Sequence, residues 1–382
     1  MTLFRVFVRG AVALTAMSLL YPAQPALAAD FVELPRLVRA GSDHQSDLAS
    51  DINFWTVKEL AKSDNGGLNA DGVDATPPPG GWDDRSRPWA GSGLVSRTAG
   101  RLFTRYRGSF DGKIVKSSCS ANVVTSGNKR TIVAAAHCFK VSSQFRGGLY
   151  GDDIAFNTVF IPGYDGSSLV RDSTDTALPG PAVAPYGVWA VTRAWITNTW
   201  NQNDYWGLGG DVAMATVERL GDTTGIEDVT GAQDIAFGVD TNPHDAYQFG
   251  YPADNYRNWY RPADVTGTAK VPVELRRRFD GRTLMYARGT TYDDAQLGGY
   301  GHDMISAMSP GSSGGPWLVD FDPATGTGTQ IAVTSRFTNE TGDAPFIDLA
   351  GGPGWSEGPA SVGAGFGPLS QSMYDHVQTA TP

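Results

Sequence analysis

The segment Thr131-Ile132-Val133-Ala134-Ala135-Ala136-His137-Cys138 sets a histidine at the end of an apolar run. Much later in the chain, Ser309-Pro310-Gly311-Ser312-Ser313-Gly314-Gly315-Pro316 sets a serine among glycines that let the backbone turn sharply. A serine hydroxyl is a poor nucleophile at neutral pH, and it needs a neighbouring imidazole to take its proton. The two segments therefore predict a base, His137, and a nucleophile, Ser313.

A third segment, Gly209-Gly210-Asp211-Val212-Ala213-Met214-Ala215-Thr216-Val217, supplies an acid before an apolar run that is typical of a buried strand. An imidazole that serves as a base needs a carboxylate to orient it, and Asp211 is the candidate. The ordinary interpretation of such an aspartate is a strand entry or a turn, and Asp204 is a local alternative. The predicted catalytic set, in chain order, is His137, Asp211 and Ser313.

This order and three local motifs resemble the trypsin-like serine proteases of the chymotrypsin fold. Ala135-Ala136-His137-Cys138 resembles the family's Ala-Ala-His-Cys, and Gly311-Ser312-Ser313-Gly314-Gly315-Pro316 resembles its Gly-Asp-Ser-Gly-Gly-Pro. Gln248-Phe249-Gly250-Tyr251-Pro252 is similar to a second-barrel strand of secreted bacterial members near the glutamyl-endopeptidase branch. The resemblance covers residues 98–378 in outline and is specific only around the motifs.

The resemblance implies an all-β domain over residues 98–382, with two six-stranded antiparallel β-barrels and a short C-terminal helix. The boundary between the barrels is expected near residues 220–232. In the implied reaction Ser313 attacks a peptide carbonyl, His137 moves the proton and Asp211 holds the imidazole. The backbone N–H groups of Gly311 and Ser313 are the implied oxyanion hole. The expected substrates are proteins or peptides, and no cofactor is expected.

Two departures from the family's pattern bear on activation and specificity. Ser312 stands where many members have an aspartate that pairs with a new amino terminus. The pocket-base position is Ala307, so the acidic group that selects Lys or Arg is missing, and Thr334 replaces the pocket histidine of glutamyl endopeptidases. Ser335 and Arg336 complete the candidate pocket. Arg336 is expected to point to solvent, so the substrate preference stays open.

The composition favours an all-β body and argues against a nucleic-acid partner. The 382 residues include 47 Gly and 23 Pro, and only 18% of them are charged, which indicates many turns and little helix. The formal net charge of −10 opposes phosphate binding, and Arg276-Arg277-Arg278 reads as a solvated turn. No metal-ligand spacing is present; weak calcium binding by acidic pairs such as Asp152-Asp153 or Asp293-Asp294 is an open alternative, and solvated loops are the favoured interpretation.

The amino terminus predicts export. Arg5 and Arg9 precede an apolar stretch, and Ala26-Leu27-Ala28 resembles a cleavage site, so residues 1–28 read as a secretory signal peptide rather than a membrane anchor. The mature protein is expected to be secreted, extracellular and free of the membrane. Residues 29–97 are polar and rich in Gly, Pro and Asp, which predicts a propeptide or a flexible extension with modest helical character at residues 54–61.

The only two cysteines, Cys119 and Cys138, are predicted to form a disulfide, because export places them in an oxidising environment. In a reducing cytosol they would instead be buried thiols. The segments 118–124 and 130–136 read as strands joined by a hairpin at Ser126-Gly127-Asn128-Lys129. Pairing of these strands brings the cysteines together and fixes the turn that carries His137.

Two other functions fit parts of the sequence. Gly311-Ser312-Ser313-Gly314-Gly315 also matches the nucleophile elbow of α/β-hydrolase esterases, but that fold needs its histidine after the serine, which leaves only His376. The other alternative is a secreted binding protein that keeps a protease fold without catalysis. The oligomeric state is left open by the sequence.

Overall fold

A computed structural model describes residues 30–35, 37–63, 77, 81–107, 113–141, 153–170, 172–202, 210–253, 279–293, 300–337 and 360–382. The predicted signal peptide, the basic cluster at 276–278, and residues Asp152, Asp204 and Asp294 lie outside this set. Among the helices within these ranges, none is long and apolar enough to cross a membrane.

Short strands dominate the described residues. They are β1 (Phe31–Glu33), β2 (Arg87–Pro88), β3 (Ala99–Arg107), β4 (Ile114–Val123), β5 (Thr131–Ala134), β6 (Lys140–Val141), β7 (Asp153–Ile154), β8 (Phe156–Pro162), β9 (Trp189–Thr197), β10 (Ala213–Glu218), β11 (Asp234–Ile235), β12 (Asp245–Gly250), β13 (Met285–Thr290), β14 (Tyr292–Asp293), β15 (Gly301–Ile305), β16 (Pro316–Asp322), β17 (Thr327–Phe337) and β18 (Ala360–Gly365). The helices are α1 (His44–Phe54), α2 (Val57–Ser63), α3 (Val95–Thr98), α4 (Asn198–Asn201), α5 (Ile226–Thr230) and α6 (Pro368–Val377), and single 3-10 turns lie at Gly41–Asp43 and Ala136–Cys138.

The first sheet closes into a six-stranded antiparallel barrel. Its order is β8-β3-β4-β5-β10-β9, and β9 pairs back with β8 to complete the ring. Closure removes the free sheet edges that would otherwise invite pairing with another chain. The interior is apolar, and Trp189 and Trp195 on β9 are both buried in it. This barrel carries the predicted base and acid.

The second sheet is an open half-barrel with the order β14-β15-β18-β17-β16-β12-β13-β2, to which β11 adds in parallel beside β17. Helix α6 follows it, packs against β1, β9 and β10, and buries Met373 and Val377 there. The prediction of an all-β chymotrypsin-like fold with a short C-terminal helix is confirmed. Within the described ranges, however, the second sheet does not close as a six-stranded barrel.

Residues 30–63, from the interval predicted to be a propeptide or flexible extension, pack against the first barrel. Strand β1 pairs with β9, and Glu33 forms an ion pair with Arg193 at 2.7 Å. Helices α1 and α2 bury Leu48, Ile52, Trp55 and Leu60. Burial of apolar surface against the barrel stabilises this segment, since each such side chain contributes roughly 1.5–3 kcal/mol. Whether the segment is later removed stays a prediction.

Trp55 anchors this segment to the barrel. Its indole is fully buried, packs 5.5 Å from the ring of Phe103, and donates a 2.6 Å hydrogen bond to the carbonyl of Asn157. Truncation therefore leaves both a cavity and an unpaired carbonyl. We expect Trp55→Ala to lower the free energy of unfolding by about 3–5 kcal/mol in a urea titration. The exposed Lys62→Ala control should change it by less than about 0.5 kcal/mol. Equal stability of Trp55→Ala and wild type would contradict this anchoring role.

Asp51 on α1 makes the packing of this segment against the first barrel sensitive to pH. Burial raises the pKa of its carboxyl to about 7, although the hydrogen bond from the Asn157 amide and the charge of Arg105 act in the opposite direction. A pKa raised by folding means that the folded state favours the neutral acid. The resulting stabilisation is complete below pH 4 and is lost as the pH rises through 7.

We expect Asp51→Asn to unfold like the wild type near pH 4 and to be more stable at pH 8 by roughly 2–4 kcal/mol, because each pKa unit is worth about 1.4 kcal/mol. Thermal unfolding across this range measures the difference. Asp43→Asn, which changes an exposed carboxylate beside the same helix, should leave the pH dependence unaltered. A constant difference between Asp51→Asn and wild type at all pH values would refute the titration.

Candidate active site

His137 lies in the 3-10 turn that follows β5, at the rim of the first barrel. Its side chain is 9% exposed, and the turn is tied to β4 by the disulfide between Cys119 and Cys138. This is the pairing that the sequence predicts. The ring of Trp200 lies 6.2 Å away and covers one side of the imidazole.

Asp211 orients the histidine through two hydrogen bonds. Strand β10 pairs with β5 so that Ala213 faces Ala134, and this register sets Asp211, two residues before β10, beside the turn of His137. The Asp211 Oδ2 atom lies 2.8 Å from His137 Nδ1, and Oδ1 accepts from the His137 backbone N–H at 2.9 Å. The Ser335 hydroxyl donates to Oδ2 at 2.6 Å. The buried carboxylate thus has three partners, which offset its desolvation.

The loop that carries Ser313 lies against the same turn, although it comes from the second sheet. The Ser313 carbonyl accepts a 2.7 Å hydrogen bond from the Ser120 backbone N–H and lies 3.9 Å from Cys138 Sγ. Gly314 is pressed so closely on the first barrel that a Cβ atom there would lie 2.8 Å from the Ala135 nitrogen. The structure therefore sets the backbone of Ser313 against the turn that carries His137 and Cys138.

The two peptides that carry the predicted oxyanion-hole amides have their carbonyls engaged in hydrogen bonds. The carbonyl of Pro310 accepts from Ala253 N–H at 2.7 Å, and the carbonyl of Ser312 accepts from Gly315 N–H at 2.9 Å. In a trans peptide the N–H points away from the carbonyl, so the amides of Gly311 and Ser313 are turned the other way. Neither amide donates to a backbone carbonyl anywhere in the described ranges. Two donors are therefore available to an oxyanion.

Glycine is required at 311 for two reasons. Its φ of 104° lies in the left-handed region that other residues avoid, and a Cβ atom there would lie 2.6 Å from the Tyr251 carbonyl oxygen. Ser312, at the position of the family's aspartate, forms hydrogen bonds only back into its own loop. Its N–H and hydroxyl both donate to the Ser309 carbonyl, at 3.1 and 2.6 Å.

The four predicted pocket residues have different surroundings. Ala307 is buried in an apolar cluster with Met304, Met308 and Trp317. The Thr334 hydroxyl is buried and accepts from Gln248 Nε2 at 2.9 Å and from Trp317 Nε1 at 3.0 Å. Ser335 is bound to Asp211, and Arg336 is half-buried on β17. Their role in selecting a substrate stays a prediction.

Two side chains contact the site in ways that the sequence did not indicate. Ser335 was assigned to the pocket, but its hydroxyl binds Asp211. Ser120 was not singled out at all, although its position directly after Cys119 is a signal that it lies near His137. His376, which an esterase mechanism would need, instead packs its ring 5.2 Å from Phe31 and 5.7 Å from Trp195.

Three side chains of the described residues have ligand atoms close enough to consider a metal. They are Cys119, His137 and Cys138, all buried. The two sulfurs are bonded to each other, and a disulfide lacks the thiolate that binds metal ions. This cluster therefore does not fit a metal site.

A scan of protein-family models finds no match to the chain, and a search of curated proteins finds none either. Solved structures do match. The protease Anisep from Arthrobacter nicotinovorans is 23% identical with a TM-score of 0.50, covering 76% of this chain and 99% of that one. The thermostable serine protease AL20 from an extremophilic microorganism is 25% identical with a TM-score of 0.50, covering 75% and 99%.

The fold is therefore the chymotrypsin-like fold of serine proteases. A Glu endopeptidase also matches, at 12% identity and a TM-score of 0.44, over 78% of this chain and 98% of that chain. That likeness is too distant to bear on the glutamyl-endopeptidase branch, which stays a prediction.

The disulfide yields a prediction about stability. It joins two residues that are 19 apart in sequence, and cross-linking a loop of this size removes unfolded-state entropy worth about 3 kcal/mol. We expect Cys119→Ala/Cys138→Ala to lose this amount in a guanidinium titration. A reducing agent should destabilise the wild type and leave the double variant unchanged. Equal stability of the oxidised wild type and the variant would contradict the expectation.

Proposed function

We propose that this protein is a serine endopeptidase, with Ser313 as nucleophile, His137 as base and Asp211 as the residue that orients it. The observation that carries the proposal is the 2.8 Å contact between His137 Nδ1 and Asp211 Oδ2, beside the turn against which the Ser313 backbone packs. The all-β fold is that of serine proteases, and it differs from the α/β-hydrolase fold that the esterase alternative requires.

In the proposed reaction His137 Nε2 takes the hydroxyl proton of Ser313 as the oxygen attacks the scissile carbonyl. The Nδ1–H group donates to Asp211, which stabilises the imidazolium that forms. The negative oxygen of the tetrahedral intermediate lies between the amides of Gly311 and Ser313. Each such preorganised donor is worth roughly 3–4 kcal/mol of transition-state stabilisation. His137 then returns the proton to the leaving amine, and water attacks the acyl-enzyme by the reverse proton path.

The substrate pocket is proposed to have an apolar base. Ala307 supplies no charge, and the residues packed around it are Met304, Met308 and Trp317. A place near the glutamyl-endopeptidase branch is supported only by the segment 248–252. Against acidic specificity, the Thr334 hydroxyl is already engaged by Gln248 and Trp317. Mapping of cut sites decides between these preferences.

Secretion is proposed from the sequence of residues 1–28, and removal of part of residues 29–97 is proposed as the route of maturation. In the family, an aspartate beside the nucleophile pairs with a newly formed amino terminus. Ser312 lacks that charge and instead donates to Ser309. The oxyanion peptides are held by internal hydrogen bonds, so their arrangement is proposed to be independent of a new terminus.

We expect the folded protein to cleave a quenched peptide library, and Ser313→Ala and His137→Ala to lose cleavage by roughly 10³-fold or more, because the members of a triad act as a unit. Matched controls are Ser126→Ala, at a hairpin tip, and His244→Ala, just before β12; both should cleave like the wild type. Mass spectrometry of the products gives the residue before each cut.

A fluorophosphonate probe reports the reactivity of Ser313 in the same samples. Labelling of the wild type that is absent from Ser313→Ala supports the proposed triad. A folded wild type that neither cleaves the library nor takes the probe would refute the endopeptidase and favour the non-catalytic binding protein.

A further inference from the structure

Ser120 is a buried residue on β4 that forms three hydrogen bonds at the junction of the two sheets. Its backbone N–H donates to the Ser313 carbonyl at 2.7 Å. Its hydroxyl donates to the Gly311 carbonyl at 2.9 Å and accepts from the Tyr251 backbone N–H at 2.9 Å. The side chain is 1% exposed, so these contacts are shielded from water. Ser120 of the first barrel thereby binds the loop at the carbonyls of Gly311 and Ser313, on either side of Ser312.

The hydroxyl of Ser120 joins the two chain segments that fix the oxyanion peptides. One segment runs from Tyr251 to Ala253, and its last N–H holds the Pro310 carbonyl, which sets the direction of the Gly311 amide. The other is the loop itself, in which Gly311 packs onto the Tyr251 carbonyl. A hydroxyl that accepts from one segment and donates to the other fixes the distance between them.

Space around Ser120 is limited on both sides. A Cβ atom on Gly250 would lie 3.2 Å from the Ser120 hydroxyl oxygen, and a Cβ atom on Gly314 would collide with the Ser120 carbonyl. The backbone of both glycines therefore lies close to Ser120. Its hydroxyl is held in the orientation that serves Tyr251 and Gly311.

We propose that Ser120 is a positioning residue for the oxyanion hole. Its hydroxyl helps to fix the loop that, in family members with an aspartate at the position of Ser312, is fixed by an ion pair with the new amino terminus. The inference rests on the proposed function, since it assigns Ser120 to the reaction carried by Ser313. Ser120 orients peptides that touch the reacting oxygen and does not itself touch substrate. Its loss therefore weakens binding of the transition state and spares binding of the ground state.

We expect Ser120→Ala to lower kcat about 10- to 100-fold with little change in KM, which is less than the loss of a whole oxyanion donor. The matched control is Ser126→Ala, which removes a buried hydroxyl bound to Asn128 at 3.0 Å, outside the site.

Hydrogen exchange measured by mass spectrometry gives a readout that needs no activity. In Ser120→Ala the Tyr251 amide loses its acceptor and the loop at residues 309–316 loses the bond to the Gly311 carbonyl, so the peptides that cover Tyr251 and residues 309–316 should both exchange about tenfold faster. Peptides from β9 and β10 should exchange as in the wild type, which separates a local effect from general destabilisation.

The proposal is overturned if Ser120→Ala keeps the wild-type kcat and the wild-type exchange at residues 309–316, or if exchange rises equally in β9 and β10. An inactive, probe-resistant wild type would instead refute the proposed function. The exchange measurement alone would then still show whether Ser120 orders the loop.

Discussion

The contact between the two sheets is the constraint on which the candidate site depends. His137 and Asp211 both belong to the first barrel, where the pairing of β5 with β10 sets their separation. Ser313 lies in the loop before β16 of the second sheet. Docking of this loop on β4 sets Ser313 beside the turn that carries His137. The 2.7 Å hydrogen bond from Ser120 N–H to the Ser313 carbonyl fixes that docking. A buried bond from Asn122 Nδ2 to Gln330 Oε1 at 2.8 Å continues the junction.

The Asp211 carboxylate shows how the fold supports a buried charge. An isolated carboxylate in this position would be costly, because water no longer solvates it. Three short hydrogen bonds replace that water, from the backbone and ring of His137 and from Ser335. Ser335 lies on β17 of the second sheet, so the Asp211 carboxylate has this third hydrogen bond only when the two sheets are packed together. The geometry of the His137–Asp211 pair and the packing between the sheets are thus linked through one carboxylate.

Local patterns in the sequence predict those parts of the structure that are set by residues close together in the chain. The strand before His137, the apolar run after Asp211, the glycines around Ser313 and the helix at residues 368–377 were all evident, and so was the disulfide. The packing of residues 30–63 was not, because their composition is polar and Trp55 gains its partners only from strands far along the chain. Ser120 was missed for a similar reason, since its hydroxyl binds Gly311, which is 191 residues away, and such a contact leaves no periodic signal.

Because residue 312 is a serine and not an aspartate, the loop at residues 309–315 depends on uncharged hydrogen bonds for its conformation. An ion pair with an amino terminus can organise the oxyanion loop only after cleavage, because the charge on the terminus does not exist before it. Hydrogen bonds from Ser120, Ala253 and Ser312 need no such event, since every donor is present in the intact chain. The loop is therefore organised by folding itself. Under the proposed function and maturation, a restraint on the intact chain would then act on access to His137 and not on the geometry of the Gly311 and Ser313 peptides.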